Sequence, residues 1–244
     1  MLTRRSALIG VAAAAACGTL PSPATAGNDL LDHAIARMGG VDAINRSRVL
    51  AWTGHARIHA DRRNIDIGVE SVVEPFVYAR SDTWLLSQGR GSMRSLEIDG
   101  HSGATISNGQ SSPMSAAMYL NEKAQFATYG LMRLVSLRDA GASFTTMPIP
   151  GSGIPITWRY GLVVDHPAAP SATLYFDNTA ALVGIVNNVP SPNGGGMSID
   201  QLFTFGELRE SQTGMYWPTS ISITQDHLPF FDLTIETFSP RQAR

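Results

Sequence analysis

A two-residue hydrophobic period that begins at Val49 constrains the fold of this chain more than any other feature of its sequence. The residues on the first face are Trp52, Gly54, Ala56 and Ile58, and those on the second are Thr53, His55, Arg57 and His59. After a predicted turn over residues 61–64, the same alternation continues through residues 65–70. A strand places alternate side chains on opposite faces, and short turns join antiparallel neighbours. The segment therefore predicts an antiparallel sheet with one apolar face.

Further strands are predicted on both sides of residues 113–140. The predicted segments are 76–80, 84–87, 93–98, 156–160, 162–165, 172–176, 182–187, 198–208, 217–225 and 230–238. Turn-forming pairs such as Asp99-Gly100 and Asp177-Asn178 separate several of them. Because the connections are short, successive strands pair antiparallel, and no parallel doubly wound sheet is expected.

Two segments depart from the alternation and predict helices. Residues 28–45 place large apolar side chains at helical spacing, and Gly39-Gly40 interrupts them. Residues 113–140 are rich in Met, Ala, Leu and Gln, and they predict two helices that break near Tyr129-Gly130. The predicted order is a helix, a meander, a helical insert and a second meander, which makes the fold class α+β.

The first 26 residues have the order of regions found in a secretion signal. Arg4 and Arg5 precede an apolar run, and the stretch ends in Ala24-Thr25-Ala26, which matches a signal-peptidase site. The run spans about ten residues, whereas a membrane-spanning helix needs about twenty, so no transmembrane segment is expected in the mature chain. The paired arginines suggest twin-arginine export, although the partial match leaves the general secretory route open. We expect a periplasmic or secreted protein, cleaved after Ala26, in which residues 27–244 form one domain.

Cys17 and the charge balance refine this expectation. Cys17 is the only cysteine, and the preceding Ala14-Ala15-Ala16 loosely resembles a lipoprotein cleavage box, so a lipoprotein anchored at Cys17 is the alternative. Removing Arg4 and Arg5 leaves 16 of the 18 basic residues against 20 acidic ones, a net charge near −4. No basic patch remains that would bind phosphates, so nucleic acid is not an expected partner.

Four short sequence segments, taken in their order along the chain, resemble a known protein family. They are Ala-Arg-Met-Gly-Gly-Val-Asp-Ala-Ile at 36–44 leading into 49–54, the turn at 98–103, Leu-Tyr-Phe-Asp at 174–177 followed by 182–183, and Gly-Met-Tyr-Trp-Pro-Thr at 214–219. In this order they resemble the periplasmic lipoprotein-carrier superfamily, the LolA/LolB-like proteins. The resemblance implies a strongly curved antiparallel sheet, an unclosed barrel, covered by the N-terminal helix and the central helical insert. It also implies that acyl chains are held between the sheet and the helices.

The resemblance directs attention to the large apolar residues near the predicted helical insert. The predicted ligand-binding residues are Trp52, Phe76, Tyr78, Trp84, Met118, Phe126, Leu131 and Arg133. Arg133 is a candidate for binding an anionic head group, although a surface salt bridge explains it as well. Gly39-Gly40 and Gly130 are predicted hinges of a lid, because glycine tolerates large backbone changes. The alternative is that these apolar residues simply fill a dry core.

Motifs of covalent, nucleotide-dependent and metal-dependent catalysis are absent from the sequence. It contains no Gly-x-Ser-x-Gly elbow, Walker loop, dinucleotide-binding loop or His-Glu-x-x-His signature, and no cofactor or metal is expected. His55 and His59 share one strand face, where two imidazoles can bind a metal or exchange protons. The opposite face carries Trp52, so we expect the histidine face to be solvated. His101 lies in an Asp-Gly turn and is expected to be exposed.

The sequence therefore predicts an exported carrier for a lipid, an acylated protein or another hydrophobic molecule, working without covalent catalysis. The first alternative is an enzyme that acts on a hydrophobic substrate in the same cavity with His and Asp as acid-base residues. The second alternative is an envelope module that binds a protein partner.

Overall fold

The computed structural model describes residues 23–60, 63–147, 149, 155 and 157–242. The helices in this part of the chain are α1 (Pro23–Arg37), α2 (Gly40–Arg46) and α3 (Ala116–Met132). The strands are β1 (Leu50–Ala60), β2 (Arg63–Glu74), β3 (Tyr78–Leu85), β4 (Arg94–Ile98), β5 (Gly103–Ser107), β6 (Gln110–Pro113), β7 (Ser143–Met147), β8 (Tyr160–Asp165), β9 (Ala172–Phe176), β10 (Leu182–Pro190), β11 (Ser198–Phe205), β12 (Leu208–Glu210), β13 (Tyr216–Pro218), β14 (Ser220–Gln225) and β15 (Leu228–Phe238). Short 3-10 turns occupy Gly89–Ser92 and Val135–Arg138.

Thirteen strands form one open antiparallel sheet. Their order is β6-β5-β4-β3-β2-β1-β15-β14-β11-β10-β9-β8-β7, and β12 and β13 form a separate ribbon. The first and last long strands, β1 and β15, pair at the centre, so the two meanders are joined edge to edge. The end strands β6 and β7 do not pair with each other. The strongly curved, unclosed sheet and the α+β class agree with the prediction.

The alternation seen in the sequence decides which face of β1 and β2 is buried. Trp52 and Ala56 are buried, whereas His55 and Arg57 are exposed. Opposite residues of antiparallel strands share a face, and Ala56 pairs with Ile67 on β2 and with Leu233 on β15. One apolar surface therefore runs across the centre of the sheet.

Helices α1 and α2 agree with the predicted helix over 28–45 and its interruption at Gly39-Gly40, except that α1 begins five residues earlier, at Pro23. Gly39 has a φ of 102°, and a Cβ placed on it would lie 2.1 Å from the carbonyl oxygen of Gly214. The Tyr216 amide donates to the Met38 carbonyl beside this point (3.0 Å). Gly39 is required because the end of α1 packs against the backbone of the loop that precedes β13.

Helix α3 corrects the prediction of two helices that break near Tyr129-Gly130. The helix begins at the cap Ser115, whose hydroxyl accepts from the Met118 amide (3.2 Å), and it continues through Gly130 to Met132. The break lies at Leu134, which has a φ of 62°. Gly130 is required for a different reason, because a Cβ there would lie 2.3 Å from the Phe76 ring. The sequence cannot distinguish a glycine that bends a helix from one that admits a neighbouring ring.

Several strand predictions also need correction. The predicted segment 156–160 is not a strand over 157–159, where the buried Trp158 instead packs against Tyr175 at 4.7 Å between ring centroids. The segment 84–87 is only the end of β3, and Phe76 lies in a turn before it. Strands β5 and β6 were not predicted, because no residue in them is fully buried and β6 is entirely polar or proline. Segments 198–208 and 217–225 each contain two strands.

The core lies between the concave face of the sheet and the helices. Helix α1 packs against β7, and α3 crosses from β10 on one side to β4 on the other. The second half of α3, Ala127–Met132, is buried, whereas the first half is mostly half-exposed. The second meander is therefore tightly covered, whereas much of the first meander lies under the half-exposed N-terminal half of α3.

Candidate functional site

A stripe of side chains on α3 faces a cavity over the first meander. Its members are Met118, Glu122, Gln125, Phe126 and Tyr129. These positions are separated by the three or four residues that return a helix to the same face. The stripe therefore places both apolar and ionisable groups on the cavity side of one helix.

The cavity has a volume of about 540 Å³. Its remaining lining residues are Trp52, Ile58, Ile67, Val69, Ser71, Ser81, Thr83, Arg94, Ser95, Leu96, Thr105, Ile106, Ser107, Ile223, Phe230, Phe231 and Leu233. Cavities that hold small molecules measure roughly 300–1,000 Å³ and are mostly apolar with a few polar groups. The size and the composition of this cavity both fall in that class.

One wall of the cavity is apolar. It comes from the central strands β1, β2, β14 and β15, which contribute Ile67, Leu233 and their neighbours. Trp52 lies between this wall and α3, with its ring centroid 5.1 Å from that of Tyr129. The Trp52 indole N–H is buried and has no hydrogen-bond partner among the described residues. An unpaired buried donor is unusual, because such a group loses its hydrogen bond to water without replacement.

The other wall carries a row of hydroxyl groups on the cavity face of β2 to β5, which we call the hydroxyl row: Ser71, Ser81, Thr83 and Thr105. The Ser71 and Ser81 hydroxyls bond to each other at 2.9 Å. In the strand register Val69, which lines the cavity, is opposite Thr83, and Leu96 is opposite Ser81 and Thr105. Opposite residues share a face, so this row of hydroxyls lies beside the apolar wall and not behind it.

Glu122 is the acidic group of the cavity. Glu122 is half-buried, and among the described residues its carboxylate has no hydrogen-bond or ion-pair partner. Burial raises the pKa of Glu122 to about 7, because desolvation disfavours the charged form. Burial also raises the pKa of Tyr129, and the charge of Glu122 adds to that shift. Arg94 is the other charged residue of the lining, and it is exposed.

Three of the predicted ligand-binding residues, Trp52, Met118 and Phe126, line this cavity together. Phe76 and Tyr78 lie beyond Phe126 at a separate cleft of about 20 Å³, which holds no more than a water molecule. The Tyr78 hydroxyl donates to Glu97, and together with burial this raises the pKa of Tyr78 to about 12.

The other three predicted residues lie away from the cavity. Trp84 faces the opposite side of the sheet, where its ring covers Gly68 and the Arg90 guanidinium stacks on it at 4.4 Å. Leu131 is fully buried in the core. Arg133 lies away from the cavity lining, and its guanidinium donates to the carbonyl of Ile44 at the end of α2 (3.0 Å). Burial lowers the pKa of Arg133.

Sequence reasoning missed Glu122, Gln125, Tyr129 and the hydroxyl row. A signal for the first three was present, since they share the helical face of Met118 and Phe126. The hydroxyl row follows the same two-residue period as Val69, and only the strand register shows that this face of β3 meets the cavity.

The candidate histidines lie outside the cavity. His55 pairs with Glu236 at 3.1 Å and His59 pairs with Asp232 at 2.6 Å, both on the outer, solvated face of the sheet as predicted. His101 is exposed in the turn after β4. No histidine of the described residues lines the cavity, and no group of three or more His, Cys, Asp or Glu in this part of the chain can hold a metal ion.

Within the described residues, no helix combines the length and the apolar character that crossing a membrane requires.

No protein-family model matches the sequence, and no curated protein matches it. Among solved structures, the chain is similar to a LolA superfamily protein from Nitrosomonas europaea, with 10% identity and a TM-score of 0.52 over 89% of this chain and 94% of that chain. A domain described as an outer membrane lipoprotein-sorting protein from Vibrio parahaemolyticus gives a TM-score of 0.45 at 10% identity over 88% and 92% of the two chains. A DUF1329 family protein from Desulfovibrio piger gives 0.47 at 10% identity over 90% and 94%. The chain therefore has the LolA-like fold that its sequence predicts.

Proposed function

We propose that this chain is a carrier that shelters a lipid, an acylated protein or another hydrophobic molecule in the cavity between α3 and the first meander. The observation that supports this most directly is an apolar cavity of about 540 Å³ inside the covered face of the sheet. Protein interiors are normally packed without voids of ligand size. A chain that keeps such a space gains stability when an apolar ligand fills it.

The energetics suit a carrier that works without a covalent step. Burying one methylene group contributes about 0.8 kcal/mol, so an acyl segment of about ten methylenes gains roughly 8 kcal/mol before the cost of association. That cost takes several kcal/mol, which leaves the reversible binding that a carrier needs. Trp52, Met118 and Phe126 are the sequence-predicted residues that we place in contact with the ligand.

Ligand exchange requires an opening, and the N-terminal half of α3 is the part that covers the cavity. Three contacts hold it down: Asn121 donates to the Pro190 carbonyl (2.8 Å), Tyr119 to the Asp99 carbonyl (3.2 Å) and Lys123 to the Gly100 carbonyl (3.2 Å). The C-terminal half is buried and stays with the core. We propose that this half-helix lifts as a lid, in place of the hinge that the sequence placed at Gly130.

We also propose that the protein acts outside the cytoplasm. Residues 1–26 would be the export signal and residues 27–244 the working domain, with a lipid anchor at Cys17 as the alternative. Residues 1–22, and therefore Arg4, Arg5 and Cys17, lie outside the described part of the chain. The LolA-like fold is consistent with an envelope location.

A cavity-filling substitution with a matched control tests the carrier function. Thr83→Trp places a large side chain on the cavity face of β3, whereas Thr234→Trp places the same side chain on the exposed outer face of β15. Native mass spectrometry of the exported proteins should show bound lipid in the wild type and in Thr234→Trp, and much less in Thr83→Trp. A wild-type protein that carries no lipid and takes none up from vesicles would contradict the proposal.

A further inference from the structure

We propose that the cavity prefers single-chain amphiphiles that carry a protonated amine, and that the Glu122 carboxylate binds the ammonium group. This inference rests on the proposed carrier function and specifies the chemical class of its ligand. It follows from the position of Glu122, from the groups around it and from the charges of the lining.

Glu122, on α3, lacks the ion-pair partner that two acidic residues of the neighbouring sheet have. Asp66 pairs with Arg57 at 2.9 Å, and Glu70 pairs with Arg90 at 2.8 Å, both at the exposed surface. Glu122 projects from α3 into the cavity and contacts no cation or hydrogen-bond donor of the described residues. A carboxyl group that is partly removed from water and has no partner destabilises the protein unless a ligand supplies that partner. A cation supplies it best, because ion pairing favours the charged carboxylate that burial disfavours.

The neighbours of Glu122 are suited to an ammonium group. An ammonium has three N–H donors, and beyond the carboxylate the cavity offers the Gln125 side chain and the hydroxyl row at Ser71, Ser81 and Thr105 as acceptors. The rings of Trp52 and Tyr129, 5.1 Å apart, also attract a cation through their faces. The apolar wall then accepts the hydrocarbon chain.

The charges of the lining disfavour an anionic head group. A fatty-acid carboxylate would meet Glu122 as a like charge in a poorly hydrated space, whereas an uncharged alcohol would leave it unpaired. Arg94 is the one cation of the lining, and its exposed guanidinium does not shift the pKa of Glu122. Tyr129 is the remaining titratable group that faces the site, and its raised pKa keeps it neutral at physiological pH.

Amine binding should depend on pH with a defined sign. In the empty cavity the pKa of Glu122 is about 7, so binding an ammonium group below pH 7 displaces a proton. Affinity for the amine therefore rises as the pH increases, by up to about tenfold per pH unit below 7, and levels off above 7. An alkyl alcohol has no charge to pair with Glu122, so its affinity should not rise in this way.

The experiment measures binding of dodecylammonium and dodecanol, below their aggregation concentrations, to three forms of the protein between pH 5.5 and 8. The forms are the wild type, Glu122→Gln, and the control Glu207→Gln, which removes an equal charge at an exposed position. At pH 8 the wild type and Glu207→Gln should bind the amine at least tenfold more tightly than the alcohol. Glu122→Gln should lose this preference and its pH dependence while keeping its affinity for dodecanol within about twofold.

Each outcome bears on one of the two proposals. If dodecanol binds but the amine has no advantage, or if Glu122→Gln weakens both ligands equally, the amine preference is wrong and the carrier function stands. If neither compound binds to any form, the carrier function fails and the amine preference fails with it. A thermal unfolding curve confirms that Glu122→Gln is folded, which is expected because the substitution removes the charge of a half-buried carboxyl group that has no partner among the described residues.

Discussion

Replacing Gly130 by alanine sets two known effects against each other. Alanine favours an α-helix over glycine by about 1 kcal/mol, and Gly130 lies within α3. Helix propensity alone therefore predicts a more stable protein. The added methyl group, however, would lie 2.3 Å from Cζ of Phe76 and less than 3 Å from two further ring carbons. No real Cβ contact is that short, so the ring must move.

The surroundings of Phe76 decide how costly that movement is. Its ring stacks on the buried His166 with the centroids 4.5 Å apart, and its backbone has a φ of 66° in the turn before β3. Neither constraint lets the ring withdraw freely, and overpacking a core of this kind costs about 1–3 kcal/mol. We therefore expect Gly130→Ala to lower the free energy of unfolding by up to about 2 kcal/mol, because helix propensity offsets about 1 kcal/mol of the overpacking cost.

Urea unfolding measures this difference. With a slope of about 2 kcal/mol per molar, the midpoint should fall by up to roughly 1 M without a change of slope. A second variant, Phe76→Leu, makes room for the methyl group, so in its background Gly130→Ala should be neutral or stabilising. If Gly130→Ala raises the midpoint in the wild-type background, the close packing of Phe76 on α3 is not what requires the glycine.

Three further predictions concern Glu122, Arg133 and Asn121. Because the pKa of Glu122 rises from 4.5 unfolded to about 7 folded, its contribution destabilises the fold increasingly as the pH rises from 4.5 to 7. Glu122→Gln should therefore gain up to about 3 kcal/mol over the wild type across that range in urea titrations, and an unchanged difference would contradict it. Arg133→Ala should cost roughly 2–3 kcal/mol through the lost bond to Ile44, measured by the same titrations, whereas a neutral result would refute that role. Asn121→Ala should speed ligand exchange and hydrogen exchange in 116–126 but not in 127–132, and uniform exchange along α3 would argue against the lid.

The sequence could predict what depends on local periodicity. The two-residue period of β1 and β2 indicates which side chains are buried, and the structure agrees at Trp52, Ala56 and Ile67. The break at Gly39-Gly40 was likewise visible, because two adjacent glycines interrupt any helical pattern. The order of the elements, together with the four sequence segments that resemble the lipoprotein-carrier superfamily, was sufficient to predict a curved, unclosed antiparallel sheet covered by helices.

Other features depend on contacts between residues that are far apart in the chain. Gly130 admits a ring from residue 76, and Trp84 faces outward because the register places it opposite Gly68 and not beside the cavity. The Arg133 guanidinium donates to a carbonyl at the end of α2, nearly ninety residues earlier in the chain. None of these relations leaves a local pattern, so neighbouring residues alone could not indicate where Trp84 and Arg133 lie.

The sequence by itself determined that this chain forms an antiparallel sheet with one apolar face, and that two helical segments cover that face. The tertiary structure decided that the helical insert is one continuous helix and that its two halves differ in burial. It also decided that Glu122 lines a cavity in which no described residue pairs with its carboxylate. The physical reason is that the alternation of apolar and polar side chains can be read along the chain. The desolvation of a charged side chain and the partners available to it depend instead on which distant strands and helices pack around it.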